Sequence, residues 1–116
     1  MRIIGTGSAL PRKVVTNEML TGFLDTSDEW IYPRTGIKTR HVISDENLED
    51  LGAEAVSKAL EMSGLNAEDI DLFVVSNVVS EYVTPSISCI IGEKLGLKCP
   101  MFDINCACPG FVYALD

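Results

Sequence analysis

Residues 72–79 constrain the fold of this chain more than any other part of the sequence. The run LFVV at residues 72–75, followed closely by Val78 and Val79, is apolar and rich in β-branched side chains. It lacks the polar alternation of a strand with one face in water, and such continuity is typical of a strand covered on both faces in a parallel sheet. The sequence therefore predicts a buried strand here.

A helix is predicted just before this strand. Apolar residues recur on one helical face from Leu48 to Met62, and Asn47 with Asp50 resembles a capping box. Gly64 is placed to end the helix in a left-handed conformation.

The remaining segments continue this alternation. Further strands are predicted at residues 3–9 and 100–106, and residues 32–41 are predicted to form an ordered surface loop. Further helices are predicted from Thr16 or Asn17 to about residue 24, around Trp30, from Thr84-Pro85 to Gly96, and from Pro109 onward. The order βαβαβα predicts an α/β fold with a mainly parallel sheet covered by helices.

Composition excludes several classes of partner. Seventeen acidic against nine basic residues give a net charge of −8 without a basic cluster, which argues against nucleic-acid binding. No apolar run reaches the roughly 18 residues of a membrane span, and the first residues lack the features of a signal peptide. A cytoplasmic location is therefore expected. The four cysteines are ten, seven and two positions apart, a spacing that disfavours the alternative of a metal or redox domain.

Cys108 is the candidate nucleophile. The strand predicted at residues 100–106 is followed by a helix whose first residue is predicted to be Pro109, which makes Cys108 the N-cap. A sulfur there lies at the positive end of the helix dipole, where the thiolate is favoured and N–H groups can stabilise an oxyanion. The carboxyl end of a strand is also where open α/β sheets bind ligands. A small cysteine that fills a tight strand–helix junction is the alternative.

Several blocks in the same order give the chain a family resemblance over essentially its whole length. They are IIGTGS with Leu10-Pro11 at the start, DTSDEWI at residues 25–31, RTGI at residues 34–37, Arg40-His41, and residues 102–115 around Cys108. Together they resemble β-ketoacyl-acyl carrier protein synthase III, the initiating condensing enzyme of type II fatty acid synthesis, which has a thiolase-like fold. The resemblance implies that residues 1–116 are an incomplete N-terminal thiolase-like half, with the rest of that half and the C-terminal half absent.

The resemblance also implies a reaction and a set of site residues. Cys108 would take an acyl group from acyl-CoA, and the acyl-enzyme would condense with malonyl-acyl carrier protein, losing CO₂ and giving a 3-oxoacyl product. Trp30 and Arg34, with Thr26 nearby, match positions that hold the adenine end of CoA. Thr84 matches a position where many relatives carry a bulky aromatic that reaches into the acyl pocket of a dimer partner. No cofactor or metal is implied, and the intact protein is expected to be a homodimer.

Some features depart from the family pattern. Pro109 removes an N–H next to the nucleophile, and Cys106 is an extra thiol that is interpreted as a packing residue. His41 is interpreted as structural, because no partner carboxylate or second His is near it in the sequence. The family's catalytic His and Asn lie in the C-terminal half, so this chain alone is expected to be inactive. Two alternatives stay open: a related thiolase-like condensing enzyme of a polyketide or other secondary-metabolite pathway, and a non-catalytic subunit that interacts with carrier protein.

Overall fold

The computed structural model describes residues 2–116, which form five α-helices, one short 3-10 helix and four strands. In chain order these are β1 (Lys13–Thr16), α1 (Asn17–Leu20), α2 (Asp28–Thr35), β2 (Thr39–Val42), α3 (Leu48–Ser63), the 3-10 helix (Ala67–Asp69), β3 (Phe73–Ser76), α4 (Ile87–Leu95), β4 (Met101–Ile104) and α5 (Gly110–Leu115). The chain divides into two compact units: residues 10–48 form one, and residues 2–9 together with 49–116 form the other.

The unit of residues 10–48 is built on an antiparallel pair of strands, in which Lys13 lies opposite Val42 and Thr16 opposite Thr39. Thr16 caps α1 as predicted, since its hydroxyl accepts the N–H of Met19 at 3.2 Å, although α1 ends at Leu20 and not near residue 24. The prediction of a surface loop at residues 32–41 was wrong. These residues form the end of α2 and most of β2, because pairing with the distant β1 supplies the hydrogen bonds of the strand.

The other unit contains the strand predicted at residues 72–79, but the prediction that it is buried was wrong: Phe73, Val74 and Val75 are half-buried and Ser76 is exposed. β3 and β4 pair in parallel, with Phe73 opposite Met101 and Ser76 opposite Ile104, and both α4 and α5 contact this pair. The buried apolar side chains of this unit come mainly from α4 and the segment after it: Ile87, Ile91 and Leu97. Val78 and Val79 lie beyond the end of β3 and are exposed.

The strand predicted at residues 3–9 is absent: these residues form neither helix nor strand. They lie against α3, so closely that a Cβ on Gly5 or Gly7 would meet the backbone carbonyl oxygens of Ala59 or Ala55. The predicted βαβαβα order is therefore incomplete within residues 2–116, where the parallel sheet has two strands and the antiparallel pair β1–β2 is a separate sheet. A strand requires a hydrogen-bonded partner, and the helix surface beside this segment supplies none.

The ends of the long helices follow local signals. Gly64 and Gly96 adopt left-handed conformations, with φ of 72° and 71°, and end α3 and α4 as predicted. The predicted start of α4 at Thr84-Pro85 was wrong, because the hydroxyl of Ser86 caps the helix by accepting the N–H of Cys89 at 3.4 Å. Among the helices of residues 2–116, none is both long and apolar enough to span a membrane.

Candidate active site

Cys108 lies in a tight turn between β4 and α5. Ala107 has a positive φ of 47°, and its carbonyl oxygen accepts the N–H of Gly110 at 3.0 Å. Such a φ is uncommon for a residue other than glycine. The helix begins at Gly110, so Pro109 and not Cys108 occupies the N-cap, one residue later than predicted. Cys108 is an exposed residue, so it does not fill the junction as a buried side chain.

Gly110 allows the start of α5 to approach β3 closely. Gly110 is buried, and a Cβ at this position would meet the hydroxyl oxygen of Ser76 at the end of β3. The same Cβ would lie 3.9 Å from the Cβ of Cys106, which is exposed like Cys108. The start of α5 thus lies close to the end of β3, and a larger residue at position 110 would require the Ser76 side chain to move.

A cavity of about 370 Å³ opens near the carboxyl ends of β3 and β4. Its lining residues are Asn77, Val78, Ser80, Tyr82, Val83, Asp103 and Asn105. Thr84 is exposed but does not line this cavity, although its two preceding neighbours do. Neither asparagine was identified from the sequence, because both lie inside the predicted strands at residues 72–79 and 100–106. The observed strands end earlier, at Ser76 and Ile104, which places Asn77 and Asn105 at the carboxyl ends where open α/β sheets bind ligands.

Asp103 joins β4 to the start of α4. One of its carboxylate oxygens accepts the N–H of Ile87 at 3.1 Å, and the other accepts the N–H of Ser88 at 3.0 Å. These are among the N–H groups that an α-helix cannot pair within itself. The carboxylate therefore anchors α4 to the strand that leads to Cys108.

Trp30 and Arg34 form one exposed surface on α2. The guanidinium carbon of Arg34 lies 4.7 Å from the centre of the Trp30 ring, and its Nη1 donates to the carbonyl oxygen of Trp30 at 2.9 Å. Trp30 is 56% exposed. Thr26 is half-buried and precedes Ser27, whose hydroxyl caps α2 by accepting the N–H of Trp30 at 3.2 Å. A flat indole beside a fixed cation can stack on a planar ring and contact an anion.

The structure brings Trp30 and Arg34 into contact and leaves Thr26 near the start of the same helix. Cys108 and Thr84 belong to the other compact unit. His41 is held by a contact with the backbone, since its Nδ1 lies 2.6 Å from the carbonyl oxygen of Pro11. Among residues 2–116, no three His, Cys, Asp or Glu side chains cluster in a way that could hold a metal ion.

Known proteins are similar to this chain in both sequence and fold. A β-ketoacyl-[acyl-carrier-protein] synthase III of Clostridium acetobutylicum is 50% identical over 117 residues, covering 100% of this chain and 36% of that protein. One of Xanthomonas euvesicatoria is 47% identical and covers 99% of this chain and 36% of its own length. The predicted resemblance to β-ketoacyl-[acyl-carrier-protein] synthase III is confirmed. No family model matches the chain.

Solved structures confirm the α/β, thiolase-like fold class. The 3-oxoacyl-[acyl-carrier-protein] synthase III of Aquifex aeolicus matches with a TM-score of 0.96 and 41% identity, over 99% of this chain and 38% of that one. A priming β-ketosynthase of the R1128 polyketide pathway matches with a TM-score of 0.93 and 39% identity, over 98% of this chain and 35% of that one. This chain thus spans about 36% of the length of the curated synthase III relatives that it matches.

Proposed function

We propose that this chain carries the acyl-accepting cysteine of a β-ketoacyl-[acyl-carrier-protein] synthase III. The sulfur of Cys108 attacks the carbonyl carbon of an acyl-CoA, the bond from that carbon to the CoA sulfur breaks, and CoA leaves as the acyl group stays on Cys108. In the whole protein, malonyl-acyl carrier protein then condenses with this thioester, CO₂ is lost, and a 3-oxoacyl-acyl carrier protein forms. The observation that carries the proposal is the exposure of Cys108 in the turn after a parallel strand, in a chain that matches this family from its first residue to its last.

The turn limits where the oxyanion of the attacked thioester can be stabilised. Pro109 has no N–H, and the N–H of Gly110 already donates to the carbonyl oxygen of Ala107 at 3.0 Å. Neither position after Cys108 therefore supplies a donor in this arrangement. The donors that an acyl transfer needs must come from groups other than the backbone nitrogens of these two positions.

The CoA end of the substrate is assigned to Trp30 and Arg34, with Thr26 beside them. The exposed indole offers its face to a purine, and the guanidinium can contact a phosphate or stack on the base. Thr84, smaller than the aromatic residue expected there, is proposed to leave room for a longer or branched acyl group, because pocket volume sets such selectivity. A homodimer in the cytoplasm is part of the same proposal.

Labelling with radioactive acetyl-CoA tests the central step. The full-length protein should take up acyl label on Cys108, its Cys108→Ala variant should take up none, and the matched Cys106→Ala variant should label like the wild type. If no short acyl-CoA labels the full-length protein, the enzyme proposal is wrong and the non-catalytic subunit is favoured.

A second candidate is a priming condensing enzyme of a polyketide pathway, favoured by the match to the R1128 priming β-ketosynthase at a TM-score of 0.93. Both candidates use Cys108 and differ in the acyl donor. Competition among acetyl-, propionyl- and branched acyl-CoA for labelling of Cys108 would discriminate between them.

A further inference from the structure

A buried asparagine connects both ends of helix α2. Asn17 is 2% exposed, and its Nδ2 donates to the carboxylate of Asp28 at 2.7 Å and to the carbonyl oxygen of Ile37 at 2.7 Å. Asp28 is the first residue of α2, and Ile37 follows its C-cap Gly36. A single amide group thus holds the two ends of the helix that carries Trp30 and Arg34.

Arg40 fixes the orientation of this amide. Its Nη2 donates to the Oδ1 of Asn17 at 2.7 Å, while its Nη1 donates to the carbonyl oxygen of Val15 at 3.3 Å. Because a guanidinium can only donate, the oxygen of Asn17 must face Arg40 and its NH₂ must face Asp28 and Ile37. Both donor hydrogens and the acceptor of the amide are then used. A buried polar network that is fully paired is rigid, and one that loses a member is costly.

We propose that Asn17, oriented by Arg40, is a positioning residue for the nucleotide-binding surface formed by Trp30 and Arg34. This inference rests on the proposed function, in which that surface binds the adenine end of CoA. Asn17 does not itself touch the ligand. It sets the position of α2 relative to β1 and β2, and thereby the position of the indole and guanidinium.

Trp30 provides a direct readout, since it is the single tryptophan of the chain. Addition of CoA should quench its fluorescence. The Asn17→Ala variant should bind CoA about tenfold more weakly, because a displacement of about 1 Å in a group that orients a substrate costs up to about 100-fold. Glu18→Gln is the matched control: Glu18 is adjacent and exposed, and this variant should bind like the wild type.

Acylation kinetics of the full-length protein separate positioning from a loss of folding. With acetyl-CoA, Asn17→Ala should raise KM about tenfold with little change in kcat. With acetyl-N-acetylcysteamine, a thioester that lacks the nucleotide, the rate of acylation of Cys108 should be unchanged. If Asn17→Ala does not fold, Arg40→Lys replaces it: a single ammonium group cannot serve both the Asn17 and Val15 oxygens in the same geometry, and a KM increase of about threefold for acetyl-CoA alone is expected.

The failures can be told apart. If Trp30→Ala leaves CoA affinity unchanged, the assigned nucleotide site is wrong. If Trp30→Ala weakens CoA binding but the folded Asn17 or Arg40 variants do not, the nucleotide site stands and the positioning role of Asn17 is overturned. Equal losses with acetyl-CoA and with the small thioester would also overturn it, because they would indicate a general structural effect.

Discussion

Removal of the Asp103 carboxylate should destabilise the unit that carries Cys108. The two N–H groups that this carboxylate accepts belong to Ile87 and Ser88, which are 2% and 0% exposed. Asp103→Ala leaves both donors without that partner at a place water does not easily reach. The cost should therefore include the desolvation penalty of two buried donors left unpaired, and not only the loss of two hydrogen bonds that water could replace.

The size of the effect follows from the burial of these groups. A buried donor left unpaired costs about 1–3 kcal/mol, so with two such donors the free energy of unfolding should fall by about 2–6 kcal/mol in Asp103→Ala. Asp103→Asn keeps one acceptor oxygen, and about half of that loss is expected. Domains have about 5–15 kcal/mol of stability in total, so the alanine variant loses a large share.

Urea unfolding followed by far-UV circular dichroism measures these differences. Asp71→Ala serves as the control, because Asp71 is exposed in the same unit and its removal should change stability by no more than about 0.5 kcal/mol. An Asp103→Ala variant as stable as the Asp71→Ala control would refute the reasoning. Equal stability of the Asn and Ala variants would show that the bonds to Ile87 and Ser88 do not act separately.

Three other outcomes are expected. Backbone N–H groups of Arg12 and Ser44 lower the pKa of Glu46 from 4.5 to about 2. The contribution of this carboxylate to stability is therefore complete above about pH 4.5 and is lost as the pH falls toward about 2. Urea midpoints across that range should fall less steeply in Glu46→Gln than in the wild type. Gly7→Ala should lower the free energy of unfolding in urea by about 1–3 kcal/mol, because the added Cβ meets the backbone of α3. Gly22→Ala is the control: its Cβ would contact only the carbonyl oxygen of Met19, at 3.5 Å, and stability should be unchanged or higher by up to about 1 kcal/mol. Iodoacetamide should alkylate exposed Cys108 faster than half-buried Cys89, as followed by peptide mass spectrometry, and equal rates would contradict the placement of Cys108.

Features that depend on a few neighbouring residues could be predicted from the sequence. Thr16 caps α1, and Gly64 and Gly96 end their helices, because a cap or a left-handed residue is determined within one helical turn. The same reasoning placed the start of α4 too early, since Thr84-Pro85 and Ser86 both suit a helix start. The choice of Ser86 is supported by the carboxylate of Asp103, which lies on another element and holds the next two N–H groups.

Strands were predicted less well, because pairing is decided by distant parts of the chain. β2 contains Arg40 and His41 and lies shortly after Pro33 and Gly36, so without its partner β1 it resembles a loop. Residues 3–9 have the apolar character of a strand, but within residues 2–116 they lie on α3 and form no ladder. Composition describes the preference of a segment, while the available partner decides whether a strand forms.

At the candidate site, the position of Cys108 relative to α5 differs from the prediction. Cys108 was expected to be an N-cap whose helix dipole activates it, but the helix begins at Gly110 and the thiol sits in the turn before it. The turn depends on two backbone features: the positive φ of Ala107, and the close approach of Gly110 to Ser76. Neither is visible in a pattern of residue types, because alanine does not signal a left-handed position. Reactivity at Cys108 should therefore depend on the contact between α5 and β3. Substitutions that move Gly110 away from Ser76 should change the exposure of the thiol, even when the residues next to the sulfur are unchanged.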